Sequence, residues 1–238
     1  MPCHAVVAVS ENIRELSVRA GVARERIEVI PDGIEFPADL SSASERTFLR
    51  SRWDCTDDDF VVGLLGAATP EKGQDVAIEA VTLLAERLPR MRLILAGDEC
   101  TAGIEPGRSA NAGDSRILRL GPIEDLAHFF PGLDLFIMPS KAEGLGSSSL
   151  WAMAYALPVV ATRVGGLPEI VIEDETGWLI SPGSAQALAD AILSASRDRS
   201  KLAALGRSGR QRAEAFSADI MVSRTEALYR RLLSANSR

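Results

Sequence analysis

The sequence predicts an α/β fold built on a mainly parallel, doubly wound sheet. Short apolar runs rich in Val, Ile and Leu alternate with stretches of helical period, the pattern of successive β-α-β units. Most of these runs lack polar alternation, as expected of strands covered on both faces. Three loops rich in small residues each fall just past the C-terminal end of a predicted strand, where open parallel sheets bind ligands.

The predicted strands are residues 5–9, 60–65, 92–96, 116–120, 133–138, 158–162 and 177–180. Residues 41–59, with SSASER and a run of acids, read as a helix flanked by loops ahead of the main sheet. Val76, Ala80, Leu84 and Leu88 recur every fourth residue and stripe one face of a helix that starts after Gly73. The next helix starts within Ser147 to Ser149, whose hydroxyls can cap it, and runs through Trp151 to Ala156 until Pro158 stops it. Ser181-Pro182-Gly183-Ser184 is a turn and cap before Ala-rich and Arg-rich helical segments. Met221, Leu228 and Leu232 give the last helix its apolar stripe. There is no internal repeat and no low-complexity tract.

Composition narrows the function. With 238 residues, 46% hydrophobic and 25% charged, the chain has the profile of a globular protein of one large domain or two small ones. No run approaches the ~18 apolar residues of a membrane helix. The opening residues MPCHAVVAVSENIRE lack the layout of a signal peptide, so a cytoplasmic location is expected. Cys3, Cys55 and Cys100 are odd in number and widely spaced, and His4 and His128 are the two histidines, so neither a disulfide framework nor a metal site is expected. A net charge of −7 argues against nucleic acid as a partner. The charge is uneven: from Arg197 onward the chain carries +6 and the preceding residues −13. Two readings stay open, arginines on the wet faces of solvated helices, or a basic surface toward a phosphate-bearing acceptor or a membrane.

The first of the three loops, Gly66-Ala67-Ala68-Thr69-Pro70-Glu71-Lys72-Gly73, ends with a lysine at the mouth of a helix, where backbone N–H groups and the helix dipole favour anions. Its spacing fits neither GxGxxG nor a Walker loop, and a turn whose lysine points to water is an equal reading. In the second, Pro139 to Ser149, Gly144 and Gly146 allow close backbone approach, and the following helix turn can hold a phosphate. Glu143 makes no sense for binding phosphate but good sense for hydroxyls attached to it; a sugar phosphate satisfies both, while a plain helix cap is the alternative. The third, Arg163 to Glu169, has a Gly-Gly pair that suggests a tight turn or a close ligand, followed by a helix start at Leu167-Pro168-Glu169.

With these loops in order, the chain resembles the C-terminal, donor-binding half of the GT-B glycosyltransferases, specifically the retaining enzymes of glycosyltransferase family 4. The resemblance rests on VVAVSENIRELSVRAGVARERIEVIPDGIE at 6–35, GAATPEKGQDVAIEAVTLL at 66–84, RLILAGDE at 92–99, LDLFIMPSKAEGLGSSSLWAMAYALPVVATRVGGLPEIV at 133–171 and GWLISPGSAQALADAI at 177–192. It implies a Rossmann-like sheet and a nucleotide-diphospho-sugar donor, transferred to a sugar or lipid-linked acceptor, without a metal or other cofactor. By position, Lys72 resembles the lysine on the donor diphosphate and Glu143 the first glutamate of E-x7-E, which holds sugar hydroxyls. Gly66 and Ala67 would line the donor, and the backbone of Gly144, Leu145, Gly146, Ser147 and Ser148 would take the distal phosphate and sugar. Gly97 and the loop from Gly121 would flank the nucleobase.

Two positions depart from the family pattern. Ala67 stands where an arginine usually follows the first glycine, and Trp151 stands where the second glutamate would grip the ribose. An indole donates one hydrogen bond and accepts none, so it stacks on the donor, lines a pocket for a different donor or fills vacated space. The resemblance further implies that residues 1–35 are the last strand and helix of an otherwise absent acceptor domain, 36–210 the donor domain, and 211–238 a helix packing back on the other half. A separate polypeptide carrying that half, and peripheral contact with the inner face of a membrane, are then implied as partners. The rival readings are a non-catalytic or degenerate nucleotide-sugar module or one subunit of a split transferase. A dinucleotide-dependent dehydrogenase is disfavoured by the lack of GxGxxG after the first strand.

Overall fold

A computed structural model describes residues 4–40, 42–98 and 114–235. Cys3, Ser41 and Cys100 lie outside them, while Cys55 is buried. The main sheet has six parallel strands, β3 (Phe60–Leu65), β4 (Met91–Ala96), β5 (Ile117–Arg119), β6 (Leu135–Met138), β7 (Val159–Thr162) and β8 (Gly177–Ile180), in the order β5-β4-β3-β6-β7-β8. The order reverses between β3 and β6, which opens a crevice at their C-terminal ends. A separate two-stranded parallel sheet joins β1 (Val6–Ala8) to β2 (Ile27–Val29). No strand is predicted at β2, because three residues between the Arg24–Arg26 turn and Pro31-Asp32-Gly33 carry too little periodicity to stand out.

The unbroken apolar runs are explained by two cores that share the strands. Val61, Ile94, Phe136, Met138, Val159 and Ala161 point into one; Phe60, Val62, Leu64, Leu93, Leu95, Leu135, Ile137 and Val160 point into the other. Successive residues of a strand face opposite sides, so a strand covered on both needs apolar residues at every position. On the second side α3 (Gln74–Leu83) and α6 (Ala185–Ser196) pack together over the sheet. Val76, Ala80 and Leu84 of the predicted stripe are buried there, although the helix ends at Leu83 and Leu84 caps it. On the first side lie α2 (Ala43–Arg52), α4 (Ser147–Ala154) and the C-terminal end of α7 (Arg199–Ala213). A capping box of Ser42 and Glu45 starts α2, and Ser184 caps α6 through Ala187 N–H at 3.1 Å.

Helix α1 (Glu11–Arg19) follows β1, α5 is a single turn (Leu167–Ile170), and α8 (Ala218–Ala235) ends the described chain. Arg231 of α8 pairs with Glu28 of β2 at 2.7 Å, and Ile34 bridges to Ser217 just ahead of α8. Leu228 of its predicted stripe is buried, while Val222, Tyr229 and Leu233 are exposed. No helix among the described residues is long and apolar enough to cross a membrane.

One ionic cluster locks α2 to the sheet. Asp134, at the entrance to β6, accepts from Arg50 at 2.6 Å, from Arg46 at 2.5 Å and from Val61 N–H at 2.8 Å. Arg50 is only 1% exposed, and it also donates to the carbonyls of Gly132, Thr56 and Asp59. A guanidinium stripped of water is tolerable only with its donors occupied, and breaking such a buried pair typically costs about 3–5 kcal/mol. Asp134→Ala should lower the unfolding free energy by about that amount in urea denaturation, against less than about 1 kcal/mol for loss of the exposed Arg230–Glu226 pair.

Candidate functional site

The crevice between β3 and β6 is where the first two loops meet. After β3, Gly66 N–H bonds Ala96 O at 2.9 Å, and Ala68 N–H bonds Asp98 O at 3.0 Å. Pro70–Lys72 then form a tight helical turn, and Gly73 reverses the chain into α3 at φ +69°. A side chain at Gly73 would collide with the carbonyl of Pro139 at the end of β6. Lys141 knits the same seam, through its N–H to Glu71 O at 2.7 Å and its ammonium to Asp75 at 2.7 Å. That bond to Lys141 holds the Asp75 carboxyl below the usual carboxylate range.

These contacts bring together the two charged residues singled out by the sequence. Lys72 Nζ donates to Glu143 Oε2 at 2.8 Å, with side chains 29% and 12% exposed. The lysine stem lies over Gly66, where an added Cβ would sit 3.5 Å from Lys72 Cδ. Ser140 and the N–H of Gly144 also donate to the Glu143 carboxylate, at 3.4 and 3.2 Å. A partly exposed cation thus stands in the crevice against a nearly buried carboxylate. The cation can meet an anion, and the carboxylate can accept from hydroxyls.

Helix α4 begins immediately beyond, but not through a serine cap. Gly146 is the capping residue, at φ +100° and with no side-chain cap bond, so the N–H groups of the first turn lack a hydroxyl partner of that kind. Ser147 instead donates to Asp32 Oδ2 at 3.2 Å, and the wholly buried Ser149 hydroxyl finds no partner among the described residues. The helix ends at Ala154 rather than Ala156. Leu145 is buried in the first core, and Ser148 is half-buried on the first turn. Trp151 is partly buried and packs against the first core.

The third loop serves the second. Gly165, at φ +55°, lies so close to Glu143 that any Cβ would collide with its carbonyl oxygen; Gly166 N–H bonds Gly144 O at 3.0 Å. The glycine pair therefore admits a neighbouring backbone. From below, Thr162 donates to Ser140 O at 2.6 Å, and from the N-terminal segment the buried Ser10 donates to Gly144 O at 2.8 Å. Glu169 does not serve its own short helix: its carboxylate accepts from Glu11 and Asn12 N–H, both at 3.0 Å, at the start of α1. Sequence reasoning missed Ser10, Asp32, Ser140 and Thr162, whose contacts to the second loop and α4 come mostly from segments distant in the chain; the local cues were the Asp32-Gly33 turn signal and Ser10 as the N-cap of α1.

Gly97 and Gly121 lie on the other side of Gly66. Gly97, at φ +130°, packs on the Gly66 carbonyl and donates to Gly121 O at 3.2 Å, so the three glycines form a continuous backbone floor across β3, β4 and β5. Ala67 follows in this floor. The far side of Gly121 lines a cavity of about 270 Å³ with Phe48, Trp53 and Ile123. Neither Lys72 nor Glu143 lines that cavity. Among the described residues no cluster of three or more His, Cys, Asp or Glu could hold a metal ion.

The parallel sheet, whose strand order reverses beside a lysine, a carboxylate and a helix N-terminus, matches the C-terminal domain fold of the GT-B glycosyltransferases. Residues 45–212 match the family described as Glycosyl transferases group 1, and the chain belongs to that family. It is 25% identical over 241 residues to the capsular polysaccharide biosynthesis glycosyltransferase CapM of Staphylococcus aureus, covering 96% of this chain and 62% of that protein. It is 32% identical over 182 residues to a D-inositol 3-phosphate glycosyltransferase of Corynebacterium urealyticum, covering 72% of this chain and 43% of the relative. Among solved structures, Anabaena Alr3699/HepE in complex with UDP-glucose superposes with a TM-score of 0.83 at 27% identity, over 95% of this chain and 64% of that one. The chain thus spans less than two thirds of the length of these proteins.

The glycine seam carries a local prediction. Gly165→Ala should displace the Glu143 loop and destabilise the fold by more than about 1 kcal/mol, since it adds strain at positive φ to a backbone clash. Gly183→Ala, also at positive φ but with open space around it, should cost less. Thermal unfolding of the two variants checks the order.

Proposed function

We propose that this chain binds a nucleotide-diphospho-sugar in the β3/β6 crevice and forms the donor-binding part of a retaining hexosyltransferase of glycosyltransferase family 4. The contact between Lys72 and Glu143 carries the reading, because it joins a group suited to a diphosphate with one suited to sugar hydroxyls at the mouth of a helix. Family membership supports it, as does the UDP-glucose bound by the Anabaena relative. Lys72 stabilises the diphosphate as charge builds on the leaving group, the task expected to dominate such a reaction. The backbone from Gly144 to Ser148, at the N-terminus of α4, takes the distal phosphate, and Glu143 orients the transferred sugar. Gly66 and Ala67 line the donor, and Gly97 and Gly121 flank the base. Cation and helix N-terminus together make a metal or other cofactor unnecessary in this scheme.

The acceptor hydroxyl attacks the anomeric carbon from the face the diphosphate leaves, and a phosphate oxygen takes its proton. The acceptor is a sugar or a lipid-linked sugar, which suits polysaccharide biosynthesis at the cytoplasmic face of a membrane. It is held by an α/β half to which residues 1–35 belong, and against which residues 211–238 pack. That half is supplied by the same or a separate polypeptide. A second reading, a non-catalytic binding module or split-transferase subunit, is favoured by one observation: Trp151 and Ala67 occupy two positions where the family pattern places charge.

Calorimetric titration with UDP-, GDP- and ADP-sugars should show one nucleotide series bound, with Lys72→Ala weakening it by about tenfold or more, the worth of a charge-assisted hydrogen bond. Flat titrations across the panel would sink the reading. The 238-residue chain by itself should release no nucleoside diphosphate from any of these donors in the presence of sugar acceptors; measurable turnover would show that the acceptor half is dispensable.

A further inference from the structure

The segment joining β2 to α2 carries a carboxylate that the scheme above does not use. Asp32 is half-buried, and its Oδ2 accepts from Ser147 Oγ, on the first residue of α4, at 3.2 Å. The residues on either side of it are held fast. Ile30 is 4% exposed and its N–H bonds Ala8 O at 2.9 Å. Ile34 is 2% exposed, and it exchanges bonds with the start of α8, N–H to Phe216 O at 3.0 Å and O from Ala218 N–H at 2.9 Å. Between them Gly33 presses so closely on α8 that a Cβ would stand 2.6 Å from Ala218 Cα. Asp32 is therefore presented to α4 by a rigid frame. Among the described residues no Lys, Arg or His pairs with it, unlike Glu143.

A lone carboxylate beside a helix N-terminus complements the dipole while no anion is bound. It becomes a liability once a phosphate takes those N–H groups, because two anions then share a small, partly dehydrated space. A neutral hydroxyl-bearing group between them removes the conflict, since its O–H donates to the carboxylate. Accepting the donor-binding reading, we infer that Asp32 is a specificity-determining residue that accepts a hydrogen bond from a hydroxyl of the transferred sugar and selects the sugar nucleotide over the bare nucleoside diphosphate.

The test is calorimetric titration of wild type, Asp32→Asn and Asp32→Ala with the best-bound sugar nucleotide of the panel and with its own nucleoside diphosphate. Wild type should prefer the sugar nucleotide. Asp32→Ala should weaken that ligand by about tenfold or more and leave the diphosphate equal or tighter, so the preference collapses. Asp32→Asn, nearly the same size and still an acceptor, should fall between and guards against loss of fold. An equal shift for both ligands, or no shift, overturns the inference and leaves the donor-binding reading intact. Binding of neither ligand by wild type overturns both.

Discussion

The site depends on the close approach of three backbones at the C-terminal edge of the sheet. Glycines 73, 165 and 166 let the lysine loop, the glutamate loop and the loop after β7 approach to distances that a Cβ would forbid. Protein interiors respond to such crowding by moving whole segments rather than compressing atoms. A side chain at any of the three would push Lys72 and Glu143 apart before it altered their chemistry. The ion pair across the crevice is thus a consequence of backbone packing, with the charges placed last.

The N-terminal segment belongs to the same construction. Ser10 ties α1 to Gly144, and Glu169 returns the connection by accepting from the first N–H groups of α1. The N-terminus of α1 is therefore already occupied by a carboxylate of its own chain. That of α4 has no side-chain cap at Gly146, only Asp32 at the hydroxyl of Ser147. Of these two helix starts, that of α1 is held by a side-chain carboxylate on its backbone N–H groups and that of α4 is not. The buried Arg50–Asp134 cluster lies at the entrance to β6, the opposite end of that strand from the Glu143 loop, so this costly ionic network serves stability apart from the Lys72–Glu143 pair.

Most of the fold was legible because a strand buried on both faces is apolar nearly throughout; β3 and β6 meet that condition at every position, and β4 and β7 at all but Arg92 and Thr162. β2 was not legible, since three residues, only the first of them buried, leave no pattern. The helix starts were read unevenly. Ser184 caps α6 as its position suggests, whereas Gly146 and not a serine is the capping residue of α4, and the Ser147 hydroxyl donates to Asp32 instead. The Gly165-Gly166 pair was open to two interpretations, a turn or a ligand; it forms a turn, closed by Leu167 N–H on Val164 O at 3.2 Å, and its lack of side chains also admits a neighbouring loop.

By itself the sequence determined the sheet, its parallel sense, and Lys72 and Glu143 as the charges at its mouth. The sheet follows from local periodicity, and the two charged residues stand out beside glycine-rich turns past strand ends, where a water-facing lysine and a plain helix cap remained open readings. Tertiary structure alone decided that the two charges touch, that Glu169 serves a helix more than 150 residues away, and that Asp32 stands at the start of α4. Hydrogen bonds between distant segments leave no periodic trace in the chain, because their geometry is set by how the loops pack and not by the residues beside them.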